Sequence, residues 1–164
     1  MTTSATRAVP DQRQATPRPR RVLVASDFSP ASAAAGRAAI ELAGRERAEL
    51  LVLTVIDPGQ LRLPGGRFRA RIDQVRATRE AAAGMLVARA GAAGVQASYL
   101  VWQGDPAESI IEAAASEAVD LIIVGARARD RLGRLLFGSV SRRVRRDALV
   151  PVLVVPAERR EGGA

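Results

Sequence analysis

The chain contains no cysteine and no histidine. Disulfides, thiolate metal sites, imidazole ligands and histidine-based acid–base catalysis are thereby excluded. Lysine is missing too: all 25 basic residues are arginine, so a phosphate loop built on a Walker lysine is excluded. Aromatic residues make up 3% of a chain that is 48% apolar. The core must therefore be assembled from alanine, valine, leucine and isoleucine, and few rings remain to stack on bases. No apolar run approaches the ~20 residues of a membrane span, and the first residues lack the continuous apolar segment of a secretory signal. A soluble, cytoplasmic protein is expected.

What is present suits one domain with a proper core, since the chain has 164 residues. Its formal charge of +8 suggests an anionic partner, or else a solvated basic surface in an arginine-rich composition. Residues 1–19 are polar, hold three prolines and show no period, which predicts a disordered N-terminal tail. Arg18, Arg20 and Arg21 at its end are candidates for phosphate contact or simple solvation. Residues 20–157 form the folded part, and residues 158–164 are a charged, glycine-ended tail.

Residues 22–25 are an apolar run without alternation, as in a strand covered on both faces. It closes at Ala25 and leads to Asp27, where open α/β sheets place ligands; the same carboxylate also suits a turn cap. Ser29-Pro30 reads as a helix N-cap followed by proline at the first helical position, with the helix stopping near Gly44. Residues 50–56 are a second buried strand, 68–90 a long helix, and 95–101 a third strand at a sheet edge, followed by Trp102 as a packing residue. Helix 107–118, strand 121–124, helix 139–146 and strand 152–155 complete the alternation. Strands alternating with helices predict an α/β domain with a parallel sheet and helices on both faces.

The most informative stretch lies between the last two strands. It reads Gly125-Ala126-Arg127-Ala128, nine further residues, then Gly138-Ser139 opening a helix. A helix start offers unpaired amides and the positive end of its dipole to an anion. Here the chain resembles the universal stress protein family, whose nucleotide-binding members carry G-x-x-G, nine residues, then G-S or G-T. VLVASDFSP, LTVIDP, GDPAESIIEAAASEAVDLIIVGA and GRLLFGSVSRRVRRDALVPVLVV follow the family pattern in order, across residues 21–156.

The resemblance implies an open, doubly wound, Rossmann-like sheet of five parallel strands in the order 3-2-1-4-5. ATP would cross the carboxyl ends of strands one and four, the topological switch point. It assigns Asp27 to adenine and ribose, and the backbone of Val55 to the adenine edge. Val124 and Gly125 fall at the end of the fourth strand, and Gly138, Ser139 and Val140 receive the phosphates. Ala25, Arg127 and Ala128 complete the expected nucleotide-binding set. Mg²⁺ would be held mainly by the phosphates, with no metal ligand from the chain. Gly125 would let the backbone approach a ribose without a Cβ in the way. Arg127, Arg129 and Arg131 suit either added charge over the phosphates or a solvated loop.

One position departs from the pattern, because Ala128 stands where binding members have the second glycine. If the backbone there needs a positive φ, alanine costs about 1 kcal/mol, roughly tenfold in affinity. The expected function is an ATP-binding, non-catalytic, dimeric stress-response regulator with at most slow ATP hydrolysis. The alternative is an interaction module of the same fold that no longer binds nucleotide because of Ala128. An apolar last strand at a sheet edge needs covering, and family members pair that strand. A homodimer through Val152, Leu153 and Val154 is therefore expected, with a protein partner left unidentified. Binding to a membrane or to nucleic acid is not expected.

Overall fold

Apolar runs without alternation become strands because both of their faces are buried. In the computed structural model, which describes residues 17–61, 67–126, 128–129 and 135–158, five such strands form one parallel sheet. They are β1 (Arg21–Ala25), β2 (Glu49–Ile56), β3 (Ala97–Gln103), β4 (Leu121–Ala126) and β5 (Val152–Pro156). Their order is β3-β2-β1-β4-β5, the predicted 3-2-1-4-5 arrangement. Helices α1 (Pro30–Glu46), α2 (Phe68–Ala92), α3 (Pro106–Ser116) and α4 (Ser139–Asp147) cover its two faces. A one-turn 3₁₀ segment, Pro58–Leu61, follows β2.

Two aliphatic layers hold this arrangement. Val22, Val24, Val52 and Ile123 point to one face and meet Ala35, Ala39 and Ala43 of α1 and Ala83, Leu86 and Ala90 of α2. Leu23, Leu53, Ile122 and Val124 point to the other face and meet Ile110 and Ala113 of α3 and Val144 of α4. Burying one such branched side chain contributes about 1.5–3 kcal/mol, and the alanine faces let the helices lie close without rings. Trp102 packs on the second face, as a packing residue should.

Several boundaries differ from the sequence reading, each for a local reason. Helix α1 runs through Gly44, where a Cβ would meet Val95 Cγ2 at 3.4 Å, and ends instead on Arg47 at φ 57°. Glycine there serves close packing, not termination. The third strand begins two residues later than expected because Val95 belongs to the cap of α2. Its N–H reaches the Ala90 carbonyl at 2.9 Å, with Gly94 at φ 77° between them, a Schellman arrangement. Ser29 occupies the N-cap of α1 but its side chain makes no capping hydrogen bond. Inside the stretch read as a loop, Ala128–Arg129 pairs antiparallel with Leu135–Leu136.

Asp120 fixes the amino edge of the sheet by accepting the amides of Arg20 and Arg21 at 2.7 and 2.9 Å. Arg21 also meets Glu49 and Glu117 there. That edge is opposite the one where ligands bind in open sheets, so Arg21 is a structural tie and not a phosphate contact.

Candidate functional site

At the carboxyl ends of β1, β2 and β4 the chain leaves a cleft of about 400 Å³. β1 hands over to α1 through Ser26-Asp27-Phe28-Ser29, a turn closed by side chains. Phe28 sits at φ 59°, a left-handed conformation costly for a bulky residue. Its N–H reaches the Ser26 hydroxyl at 3.0 Å, and Asp27 Oδ1 accepts the Ser29 amide at 3.0 Å. Ser26 and Ser32 are buried with their hydroxyl oxygens 3.0 Å apart, and the Ser32 hydroxyl donates to the Ser29 carbonyl. The single Ser32 proton is within reach of both the Ser29 carbonyl and the Asp27 carboxylate, and either hydroxyl can be the donor between Ser26 and Ser32. Asp27 thus closes the turn and also lines the cleft.

Partial burial pushes the Asp27 carboxyl up. The hydroxyl and amide of Ser29, the Ser32 hydroxyl and the charge of Arg79 outweigh it and leave the group below its ordinary value. It is ionised at neutral pH. Arg79 comes from α2 and directs Nη1 to the hydroxyl of the fully buried Thr54 at 3.4 Å.

On the opposite wall α4 begins. Gly138 is its N-cap at φ −69°, no side chain caps it, and no acidic residue stands in its first turn. By contrast α3 is capped, since the Asp105 carboxylate accepts the Glu108 amide at 2.9 Å. Arg143 of α4 grips that same carboxylate at 3.1 and 3.0 Å and Glu108 at 3.3 Å. The Glu108 amide, against some opposition from burial and with help from Arg143, holds Asp105 below its ordinary value. This clasp fixes the direction in which the start of α4 faces the cleft.

The two glycines of the site have different reasons to be glycine. A Cβ on Gly125 would stand 3.1 Å from the Ala31 carbonyl oxygen and 3.2 Å from Ser32 Cα. Contact with the backbone of α1 is therefore a packing reason for glycine that stands beside the expected approach of a ribose. A Cβ on Gly138 would meet nothing nearer than Ser141 Oγ at 4.0 Å. Neither φ nor packing among the described residues requires glycine there, so the space it keeps on that side is open to a ligand.

Ala25, Asp27, Val55, Val124, Gly125, Gly138, Ser139 and Val140 all line this one cleft. Arg127 and Arg131 lie outside the described residues, and Ala128 is described through its backbone pairing with Leu136. The sequence reading missed Ser26, Ser32 and Arg79 as wall residues. Arg79 was findable: with Ile72 and Val75 it follows an i, i+3, i+7 stripe on the inward side of α2.

Comparison with known proteins agrees with this geometry. The sequence model of the Universal stress protein family matches residues 19–156. Universal stress protein YxiE of Bacillus subtilis is 35% identical over 144 residues, 82% of this chain and 97% of that protein. Stress response protein NhaX of B. subtilis is 47% identical over 55 residues, so this chain spans 33% of its length. A crystal structure of a universal stress protein family member from Burkholderia pseudomallei superimposes with a TM-score of 0.71 at 29% identity. That superposition covers 84% of this chain and 96% of the other. A universal stress protein crystallised with cAMP is 26% identical, with a TM-score of 0.59 over 86% of this chain and 99% of its own.

Proposed function

Because the chain belongs to the universal stress protein family, we propose that its cleft binds an adenine nucleotide, ATP above all. The protein then serves as a non-catalytic, dimeric regulator of a stress response. The observation that carries this reading is the start of α4, an uncapped helix N-terminus opening on the cleft beside a glycine with unused space. Charge-assisted hydrogen bonds from such amides are worth about 1.5–3 kcal/mol each. The cAMP complex of a relative supports an adenine nucleotide as the class of ligand.

The residues present fit that group. Ser139, Val140 and the amides that follow would hold phosphates, while Asp27 and Val55 would face the nucleoside. ATP supplies a polyanion whose occupancy reshapes the cleft. Among the described residues no cluster of three metal-ligating side chains stands nearby, so Mg²⁺ would be carried on the phosphates. Asp27 is ionised but already engaged with Ser29; it would orient a ligand and not activate water. Hydrolysis is accordingly slow or absent, and the signal is occupancy itself.

Mass spectrometry of nucleotide released from freshly purified protein tests the reading, together with thermal unfolding in the presence of ATP–Mg. A ligand at a hundred times its Kd raises stability by about 2.7 kcal/mol. An unshifted transition and no released nucleotide would overturn the proposal. If ATP stabilises an Ala128→Gly variant but not the parent chain, the interaction-module reading replaces it.

A further inference from the structure

Of the first half of α2, the reading above uses only the stripe that ends at Arg79. Of residues 68–82 only Ile72 is buried, so these turns are not there to fill the core. They line a second cavity, formed by Arg71, Gln74, Val75, Thr78 and Arg79, and Val75 and Arg79 also line the nucleotide cleft. The two spaces are continuous along one stripe of the helix, since these positions fall within about 140° at 100° per residue.

The chemistry of that stripe is cationic. Among the described residues no carboxylate lines the second cavity. The ion pairs among the described residues engage Arg21, Arg37, Arg45, Arg143 and Arg146, not Arg71 or Arg79. Arg79 is half-buried; one N–H reaches Thr54, its charge also acts on Asp27, and the rest of its five donors are not spent on an ion pair among the described residues. An arginine fork that is not spent on a carboxylate ion pair offers parallel N–H donors that an anion complements. This end of the cleft lies beyond β2, roughly two strand spacings, ~10 Å, from β4 and the start of α4.

We propose that Arg71 and Arg79 form a second anion subsite of the same cleft, so that the preferred ligand is a nucleotide with anionic groups at two separate positions. One is taken by the start of α4 and the other by the α2 arginines. The inference rests on the nucleotide reading of the cleft and adds the ligand's charge pattern to it.

Calorimetric titration of AMP, adenosine 3′,5′-bisphosphate and its 2′,5′ isomer tests it on the full chain and on Arg71→Gln and Arg79→Gln variants. One of the two bisphosphates should bind about tenfold more tightly than AMP, as one added charge-assisted contact allows. Each variant should lose most of that margin, and Arg71→Gln, at a residue outside the nucleotide-cleft lining, should change AMP affinity less than about twofold. The margin should also shrink as salt rises from 0.05 to 0.5 M, the concentrations being experimental settings of about one decade. Equal affinities for AMP and both bisphosphates overturn the subsite and leave the nucleotide reading standing. An Arg71→Gln variant that weakens AMP and bisphosphate alike also overturns it, because Arg71 would then serve the shared nucleotide site rather than a second anion. Binding of none of the three overturns the nucleotide reading and the subsite together.

Discussion

Gly125 and Gly138 look alike in a motif, yet their surroundings predict opposite behaviour on substitution. Alanine at 125 forces a methyl to within 3.1 Å of the Ala31 carbonyl oxygen, a backbone atom that cannot step aside cheaply. Gly125→Ala should cost about 1–3 kcal/mol in urea unfolding, by overpacking. Alanine at 138 has 4.0 Å of clearance and an ordinary φ of −69°. Gly138→Ala should leave stability within about 0.5 kcal/mol of the parent, as substitutions free of clashes do, and lower only nucleotide affinity. A stability loss at 138 matching that at 125 would remove the argument that this space is kept for a ligand. Asp27 yields a second test at this scale. Its carboxyl is held below its unfolded value of 3.8, so it contributes stability above that pH and loses it as pH falls through the lower folded value. An Asp27→Asn variant should unfold more easily than the parent at pH 7, and the gap should close below pH 3.8. A gap unchanged from pH 7 to pH 3 would mean that the ionised carboxylate is not what ties the turn.

Strands were more legible in the sequence than the devices that end helices. The four apolar runs at 22–25, 50–56, 121–124 and 152–155 all became parallel strands, since unbroken Val, Leu and Ile have few other ways to be buried. The end of α1 was misjudged because a glycine can mark a close approach as well as a stop, whereas Gly94 does mark the end of α2. Gly44 does the first, and Arg47 takes the left-handed position that a glycine was expected to fill. The clasp between α3 and α4 was invisible for another reason: Asp105 and Arg143 are far apart in sequence and meet only through the fold. Replacing Asp105 with alanine removes a cap and an ion-pair partner at once. The cap alone should cost about 1 kcal/mol, and the exposed ion pair adds at most about 1 more. In a double-mutant cycle with Arg143→Ala the two losses should be less than additive, and strict additivity would show that the pair does not couple. Nucleotide affinity should fall in both variants, because the clasp aims the start of α4.

For the whole molecule, the open edge of the sheet is the unresolved physical demand. β3 edges one side and β5 the other. On β5, Val152, Val154 and Val155 are only partly covered, Leu153 is 39% exposed, and Leu149 just before the strand is 97% exposed. An apolar strand with unpaired backbone groups invites pairing with another strand, and the strand carries no lysine, bulge or inward charge to prevent it. The same strand in a second copy is the self-complementary partner that two-fold symmetry supplies. Pairing of β5 with β5 would extend two five-stranded sheets into one and place both clefts on a common body. Occupancy of a cleft bounded by β4 could then be felt at the neighbouring β5, which pairs with β4 from Ile122↔Val152 to Ala126↔Pro156. Light scattering at micromolar concentration should therefore report a dimer, and Leu153→Arg should return it to a monomer without unfolding it, because Leu153 is exposed in the single chain. A parent that scatters as a monomer, or an arginine variant that remains dimeric, would move the interface elsewhere and separate nucleotide occupancy from assembly.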